Sequence, residues 1–156
     1  MIKNRGITIV EILVVITIIV ISLLGFSQLS TFSFRVIQHN EKQTRALNLA
    51  QETIEAVRNI RDESWDNISS LTMGTDYYPV KSGLPPKWSL SPGSEAMNGF
   101  TRGVALQEVM RDANDDIIES GGINDPNTKK VSVVVLWEEG GNTRQVELAT
   151  YITNWR

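Results

Sequence analysis

The chain contains no cysteine in 156 residues. That excludes a disulfide-stapled domain, a Cys-based zinc site and a thiol nucleophile. Histidine is nearly as scarce: His39 stands alone, in a helical context between polar neighbours, where an exposed helix residue is the plain reading. Neither charge sign dominates, with 15 Lys and Arg against 18 Asp and Glu for a net −3, so polyanions meet no general attraction. No Ser-His-Asp or Lys-nucleophile arrangement can be assembled with specific spacing. No Gly-rich phosphate loop follows a strand, and Gly121-Gly122 reads as a turn. The expectation is a protein that is not an enzyme. Proline is also sparse, and none occurs before Pro79, so the first half of the chain carries no helix breaker.

What the chain has instead is a long apolar run. Between 7 and 26, 15 of 20 residues are hydrophobic, whereas the remainder has the composition of an ordinary water-soluble domain. Glu11 is the one charged residue between 7 and 34. Twenty helical residues span about 30 Å, the thickness of a bilayer's hydrocarbon core. Lys3 and Arg5 precede the run, which keeps the N-terminus cytoplasmic and sends the remainder outward. A cleaved secretory signal fits poorly, because its apolar region is shorter and ends in a small-x-small site. A carboxylate inside a lipid-facing helix costs ~2.5–3.5 kcal/mol at mid-membrane and less near the end, where Glu11 sits. A plain anchor has no use for that group. It is either solvated among the headgroups or kept for a partner.

The stretch Arg5-Gly6-Ile7-Thr8-Ile9-Val10-Glu11, continuing into Ile12-Leu13-Val14-Val15-Ile16, resembles the N-terminal signature of type IV prepilins and type II secretion pseudopilins. The likeness covers 1–26 closely and the following helix by layout. It implies cleavage after Gly6 by a prepilin peptidase, N-methylation of the new terminus at Ile7, and a Glu11 at the fifth mature position. It further implies filament neighbours that are other pilin subunits, a membrane assembly platform, and a single-pass precursor in the cytoplasmic membrane before assembly into a cell-surface or periplasmic filament. Three features depart from the commonest pattern: Ile7 begins the mature chain instead of Phe or Met, the head has no cysteine pair, and no helix-bending Pro follows the apolar run. The absent cysteines, with the closing runs Val133-Val134-Val135-Leu136-Trp137 and Tyr151-Ile152-Thr153-Asn154-Trp155, bring the resemblance nearer to a minor pilin or pseudopilin than to a major pilin. The same first 26 residues also suit a different class, a single-pass anchored binding or sensor domain with an uncleaved N-terminus.

Physically, cleavage would turn Ile7 into an ammonium at the edge of an apolar helix. In a bundle, Glu11 of one subunit would meet that ammonium on its neighbour, each offsetting the other's desolvation.

Beyond 26 the helix is expected to continue. Leu29, Phe32, Val36, Gln43, Leu47, Ala50, Ile54 and Val57 recur at helical steps, one stripe to be buried under the head. A coiled-coil dimer competes, but Gln43 and Asn40 interrupt the seam. The pattern predicts a helix from Ile7 to about Arg61, apolar all round in its first half and amphipathic in its second. Later come short strands or extended loop at 77–80 and 87–90, in a surface region that Pro85-Pro86 and Ser91-Pro92-Gly93-Ser94 punctuate and make irregular. A strand over 100–110 follows, and a hairpin of 131–137 with 144–155 across Gly140-Gly141-Asn142. The expected architecture is α+β, a long N-terminal helix packed on an antiparallel sheet of three or four strands, the pilin layout. Its parts are a leader 1–6, a transmembrane and filament-core helix 7–26, an amphipathic continuation 27–62, and a β-rich extracytoplasmic head 63–156.

Two weaker sites remain. Asp112, Asn114 and Asp116 alternate as a calcium loop begins, but Ile117 and Ile123 stand where that loop wants Gly and Glu. No cofactor or metal is expected beyond this calcium reading, against which a solvated acidic turn competes. Lys129, Lys130 and Arg144 read as a small basic patch on the hairpin. Nucleic acid is an unfavoured partner, since losing Lys3 and Arg5 takes the net charge from −3 to −5. Trp65, Trp88, Trp137 and Trp155 are expected in a core or interface.

Overall fold

The computed structural model describes residues 8–155. The chain divides into two compact units, Met1–Glu41 and Lys42–Arg156. One helix, α1 (Ile9–Glu63), runs through 55 residues, with Arg61 in its last turn opposing the negative end of the helix dipole. The predicted end at 61 falls two residues short of the observed one.

In the first unit the large apolar side chains of α1 are exposed around its whole circumference, from Ile9 (79%) to Phe26 (70%). Leu29, Phe32 and Val36, predicted to lie under the head, are exposed as well. In the second unit the buried face of α1 consists of Ala46, Ala50, Thr53, Ala56, Val57 and Ile60. The predicted stripe is right at Ala50 and Val57 and is corrected elsewhere: Gln43 is exposed, and Leu47 and Ile54 are only half-buried. The reason is steric. Small side chains let the helix backbone approach the sheet, and the sheet supplies the bulk. A reading weighted by side-chain hydrophobicity favours the wrong shoulder of such a helix. Thr53 is tolerated inside because its hydroxyl donates to the Leu49 carbonyl at 2.8 Å.

After a short helix α2 (Asp66–Ser69) come seven antiparallel strands: β1 (Asp76–Ser82), β2 (Lys87–Pro92), β3 (Glu95–Met97), β4 (Phe100–Arg111), β5 (Ile117–Ile118), β6 (Ile123–Glu139) and β7 (Asn142–Thr153). The sheet order is β2-β1-β4-β6-β7, and β3 and β5 also pair with β4. The architecture is the expected α+β, with more strands than the three or four predicted. The punctuated region around Pro85-Pro86 and Ser91-Pro92 folds into a regular hairpin, Tyr77 pairing with Pro92 and Ser82 with Lys87.

Two tight turns follow from residues that adopt positive φ. Asn98 (52°) and Gly99 (83°) join β3 to β4, and Gly140 (59°) and Gly141 (78°) join β6 to β7. Two consecutive left-handed residues match the right-handed twist of flanking strands. Along β4 the residues Phe100, Arg102, Val104 and Leu106 are buried, and along β6 Val131, Val133, Val135 and Trp137. These form one core with Ala46, Ala50, Val57, Ile60 and Ile68. Because the run 131–137 alternates inward and outward, Ser132, Val134 and Leu136 lie on the opposite, half-exposed face.

Leu106 is fully buried at the centre of this core. Leu106→Ala should therefore destabilise the head by about 2–5 kcal/mol, read as a lower midpoint in denaturant-induced loss of tryptophan fluorescence.

Candidate functional site

The predicted cleavage and methylation positions, Gly6 and Ile7, lie outside the described residues. The described chain opens at Thr8, whose carbonyl accepts the amides of Glu11 (3.0 Å) and Ile12 (3.2 Å). The Thr8 hydroxyl oxygen also lies 3.4 Å from the Glu11 amide. Thr8 and Glu11 thus stand at the spacing of a capping box, Thr-x-x-Glu, a signal the sequence reading passed over. A first-turn carboxylate also opposes the positive end of the helix dipole. Glu11 therefore has a reason to exist within its own helix, and among the described residues no cation lies against it.

The hydroxyls in the apolar segment make no demand on their surroundings. Thr17 donates to the Leu13 carbonyl (2.8 Å), Ser22 to Ile18 (2.8 Å) and Thr31 to Ser27 (3.0 Å). By length and composition α1 can cross a membrane, with an 18-residue window of mean hydropathy 2.9. This is compatible with a single-pass anchor.

In the head two arginines organise the polar groups, and neither was singled out from the sequence. Arg102 is 5% exposed on the helix-facing side of β4. Its Nε donates to Glu95 of β3 at 2.6 Å, and its Nη1 lies 3.4 Å from Glu52 of α1 without a well-formed hydrogen bond. One buried cation thus ties an edge strand and the helix to the central strand. The sequence signal was an Arg at an inward position of an otherwise apolar alternation.

Arg111 sits at the far end of β4. Its guanidinium donates to Asp125 (2.8 Å), to the Asp115 carbonyl (2.7 Å) and to the Thr128 hydroxyl (3.4 Å). The register of β4 on β6 slips here, Glu108 opposing Lys129 and Val109 opposing Asp125, so three residues of β6 bulge out. The Thr128 hydroxyl and the Arg111 guanidinium hold the Asp125 carboxyl below the ordinary aspartate value, and Asp125 in turn raises the pKa of Arg111. The group fastens the β4–β5 loop to the bulge.

That loop is the predicted calcium site. Asp112 Oδ1 accepts the amides of Asn114 (2.8 Å) and Asp116 (3.0 Å), and the Asp116 and Asn114 amides hold its carboxyl low. It is a side-chain-capped turn. Among the described residues no cluster of three His, Cys, Asp or Glu could hold a metal ion.

The basic patch does not assemble. Lys129 pairs across from Ile152 and Arg144 from Trp137, which puts them at opposite ends of the hairpin, about 26 Å apart at 3.3 Å per residue. Lys129 is moreover 6% exposed, and Arg144 lies 3.9 Å from Glu139. His39 is half-buried on α1, not fully exposed. Of the tryptophans, Trp137 is buried against Phe100 at 6.1 Å, and Trp65 and Trp88 pack at the edge of the core. Trp155 is 62% exposed, with the Arg61 guanidinium 5.7 Å from its ring. Compared with protein-family models, curated proteins and solved structures, the chain finds no match in any of the three.

Asp125 gives a pH dependence with a definite sign. Its pKa in the folded head lies below the ordinary 3.8, so the stabilisation is complete well above that value and is lost as pH falls through the folded pKa. Asp125→Asn should lower the head's melting temperature at pH 7 and flatten its decline between about pH 5 and 2. Parallel melting curves of variant and parent across that range would count against the Arg111–Asp125 fastening.

Proposed function

We propose that the chain is a structural subunit of a type IV pilus-like or type II secretion pseudopilus filament, of the minor-pilin or pseudopilin kind. It enters the membrane as a precursor, is cleaved after Gly6 and N-methylated at Ile7 by a separate prepilin peptidase, and carries no catalytic function of its own. The observation that carries this reading is the first half of α1. It is apolar on all sides and exposed in the single chain, with its hydroxyls satisfied internally and one carboxylate at its start. Such a surface requires lipid or other apolar helices around it. Moving from bilayer to a helical filament core exchanges one apolar surrounding for another at little cost in hydrophobic free energy. Glu11 then supplies register by pairing with the Ile7 ammonium of a neighbour. The head, carried outside the membrane, is the exposed part of the fibre.

The N-terminus decides the route. Expressed in membranes with a prepilin peptidase, the chain should begin at N-methylated Ile7 by mass spectrometry, and at its original terminus without the peptidase. An intact leader where a control prepilin is cleaved would leave a permanently anchored domain as the better reading.

Substitution separates the two roles of Glu11. Glu11→Gln keeps a first-turn hydrogen-bonding side chain and removes the charge. It should abolish filaments as fully as Glu11→Ala, with membrane insertion intact in both. Normal filaments from Glu11→Gln in electron micrographs would reduce Glu11 to a helix cap.

A further inference from the structure

Asp125-Pro126 is the one Asp-Pro pair in the chain. Such a bond is a tertiary amide, whose more basic nitrogen leaves more readily in acid than that of an ordinary peptide. The aspartate side chain also carries a nucleophile within reach of its own main-chain carbonyl carbon. The fold places this pair where β6 is least held. Asp125 opposes Val109 and Lys129 opposes Glu108, so residues 126–128 have no partner on β4. Pro126 and Asn127 are exposed, which gives water access to the bond.

The carboxyl is fully engaged. Its Oδ1 accepts the Asn127 amide at 2.9 Å and its Oδ2 the Arg111 Nε at 2.8 Å, and the Thr128 hydroxyl bonds it as well. Arg111 faces it from β4. Asp115 lies 3.6 Å from the same Nε, and Asp116 acts on the guanidinium from the same loop. With these partners the carboxyl stays ionised to a pH below the ordinary aspartate value. An ionised carboxyl has no proton to give to a departing nitrogen, and an oxygen that attacks must first leave its hydrogen-bond donor.

We propose that Asp125–Pro126 is a latent self-cleavage site that Arg111 holds closed in the folded head. In acid the protonated Asp125 carboxyl turns from Arg111, and its oxygen attacks the Asp125 carbonyl carbon. The bond from that carbon to the Pro126 nitrogen breaks, and the nitrogen keeps the electron pair and takes the carboxyl proton. Water opens the resulting cyclic anhydride, leaving a carboxyl terminus at Asp125 and a secondary amine at Pro126. The site stays closed above the depressed pKa and opens as pH falls through it. The new ends fall in the bulge, so the ladder on either side is kept: Asp125 retains Val109, and Lys129 retains Glu108 and Ile152.

The full chain in detergent, incubated at about pH 4 and followed by intact-mass spectrometry, tests this. Arg111→Gln should release the piece that begins at Pro126 about tenfold faster than the parent, the scale of one hydrogen bond to a charged group. Its pH profile for cutting should also lie higher. Arg111→Lys keeps a cation and should fall between the two. Equal rates in the parent and Arg111→Gln would overturn the proposal. Leu106→Ala controls for unfolding, since it weakens the core and not the bulge. At the same folded fraction by circular dichroism it should be cut more slowly than Arg111→Gln. Matched rates there would overturn the role of Arg111 and leave the fold alone as the protection. In the Arg111→Gln background, Asp125→Asn removes the attacking carboxyl, and Pro126→Ala makes the leaving group an ordinary peptide nitrogen. Both should suppress the fragment, and its persistence in Asp125→Asn would overturn the self-attack.

Discussion

Where water is absent every backbone polar group must be paired and every charge must be met, and this constraint shapes the chain from its first described residue. The apolar part of α1 meets it by being helical throughout, with Thr17, Ser22 and Thr31 turned back onto carbonyls one turn earlier. What it does not supply is a covering for its own side chains. The core of the head is assembled from residues 46 onward and includes none of the apolar segment. Whatever surrounds that segment can change without costing the head any of its core. This independence is what a subunit needs if it is to pass from a membrane into the proposed fibre.

Within the head, the two arginines of β4, Arg102 buried and Arg111 half-buried, specify arrangement more than they add stability. A desolvated guanidinium such as Arg102 gains back little more than its desolvation cost, but its geometry admits one placement of Glu95 and so one placement of β3 on β4. Arg111 does the same at the opposite end, where its guanidinium adds to the contacts that Thr128 and the Asn127 amide already make with Asp125 in the bulge of β6. Between these two points the sheet is held by its backbone ladder and by apolar burial. Both ends of β4, where the short strands β3 and β5 attach, are held by charge.

How much of this was legible follows from the period of each element. The α+β class, the long helix and the β6–β7 hairpin could be read directly, because apolar runs and a Gly-Gly turn are strong local signals. Strand β3 was also within reach through Asn98-Gly99, a hairpin turn whose left-handed residues are named in the sequence. The buried face of α1 was read only in part: Ala50 and Val57 stood in the predicted stripe, but Ala46, Thr53 and Ala56 did not, because small residues score weakly there. Only the volume of the facing Val, Leu and Trp side chains makes Ala46 the right choice. The basic patch failed for a different reason. Nearness in sequence said nothing about the hairpin register that carries Lys129 and Arg144 to opposite ends. Arg102 and Arg111 stayed hidden because their carboxylate partners Glu95, Glu52 and Asp125 come from other elements, and only the Arg111 contact with Asp115 lies at short spacing along the chain.

Glu11 joins the local and the assembled levels. In the single chain it stands three residues after Thr8, its own amide close to the threonine hydroxyl and its carboxylate in the first turn, where it assists the start of a helix that has few other polar groups. That role is complete before any neighbour arrives, and it lets the apolar segment form a helix from its first turn. In the proposed fibre, headgroups and water no longer reach this position. A carboxylate tolerable at the membrane edge then becomes costly unless a cation replaces them. The group that begins the helix is thereby the one that makes isolated burial unfavourable. A wrongly registered subunit would carry an unpaired charge, and a correctly registered one would not. Placing the charge in the first turn, and nowhere else between 7 and 34, lets a uniformly apolar surface that could slide by any helical step distinguish one step from the others.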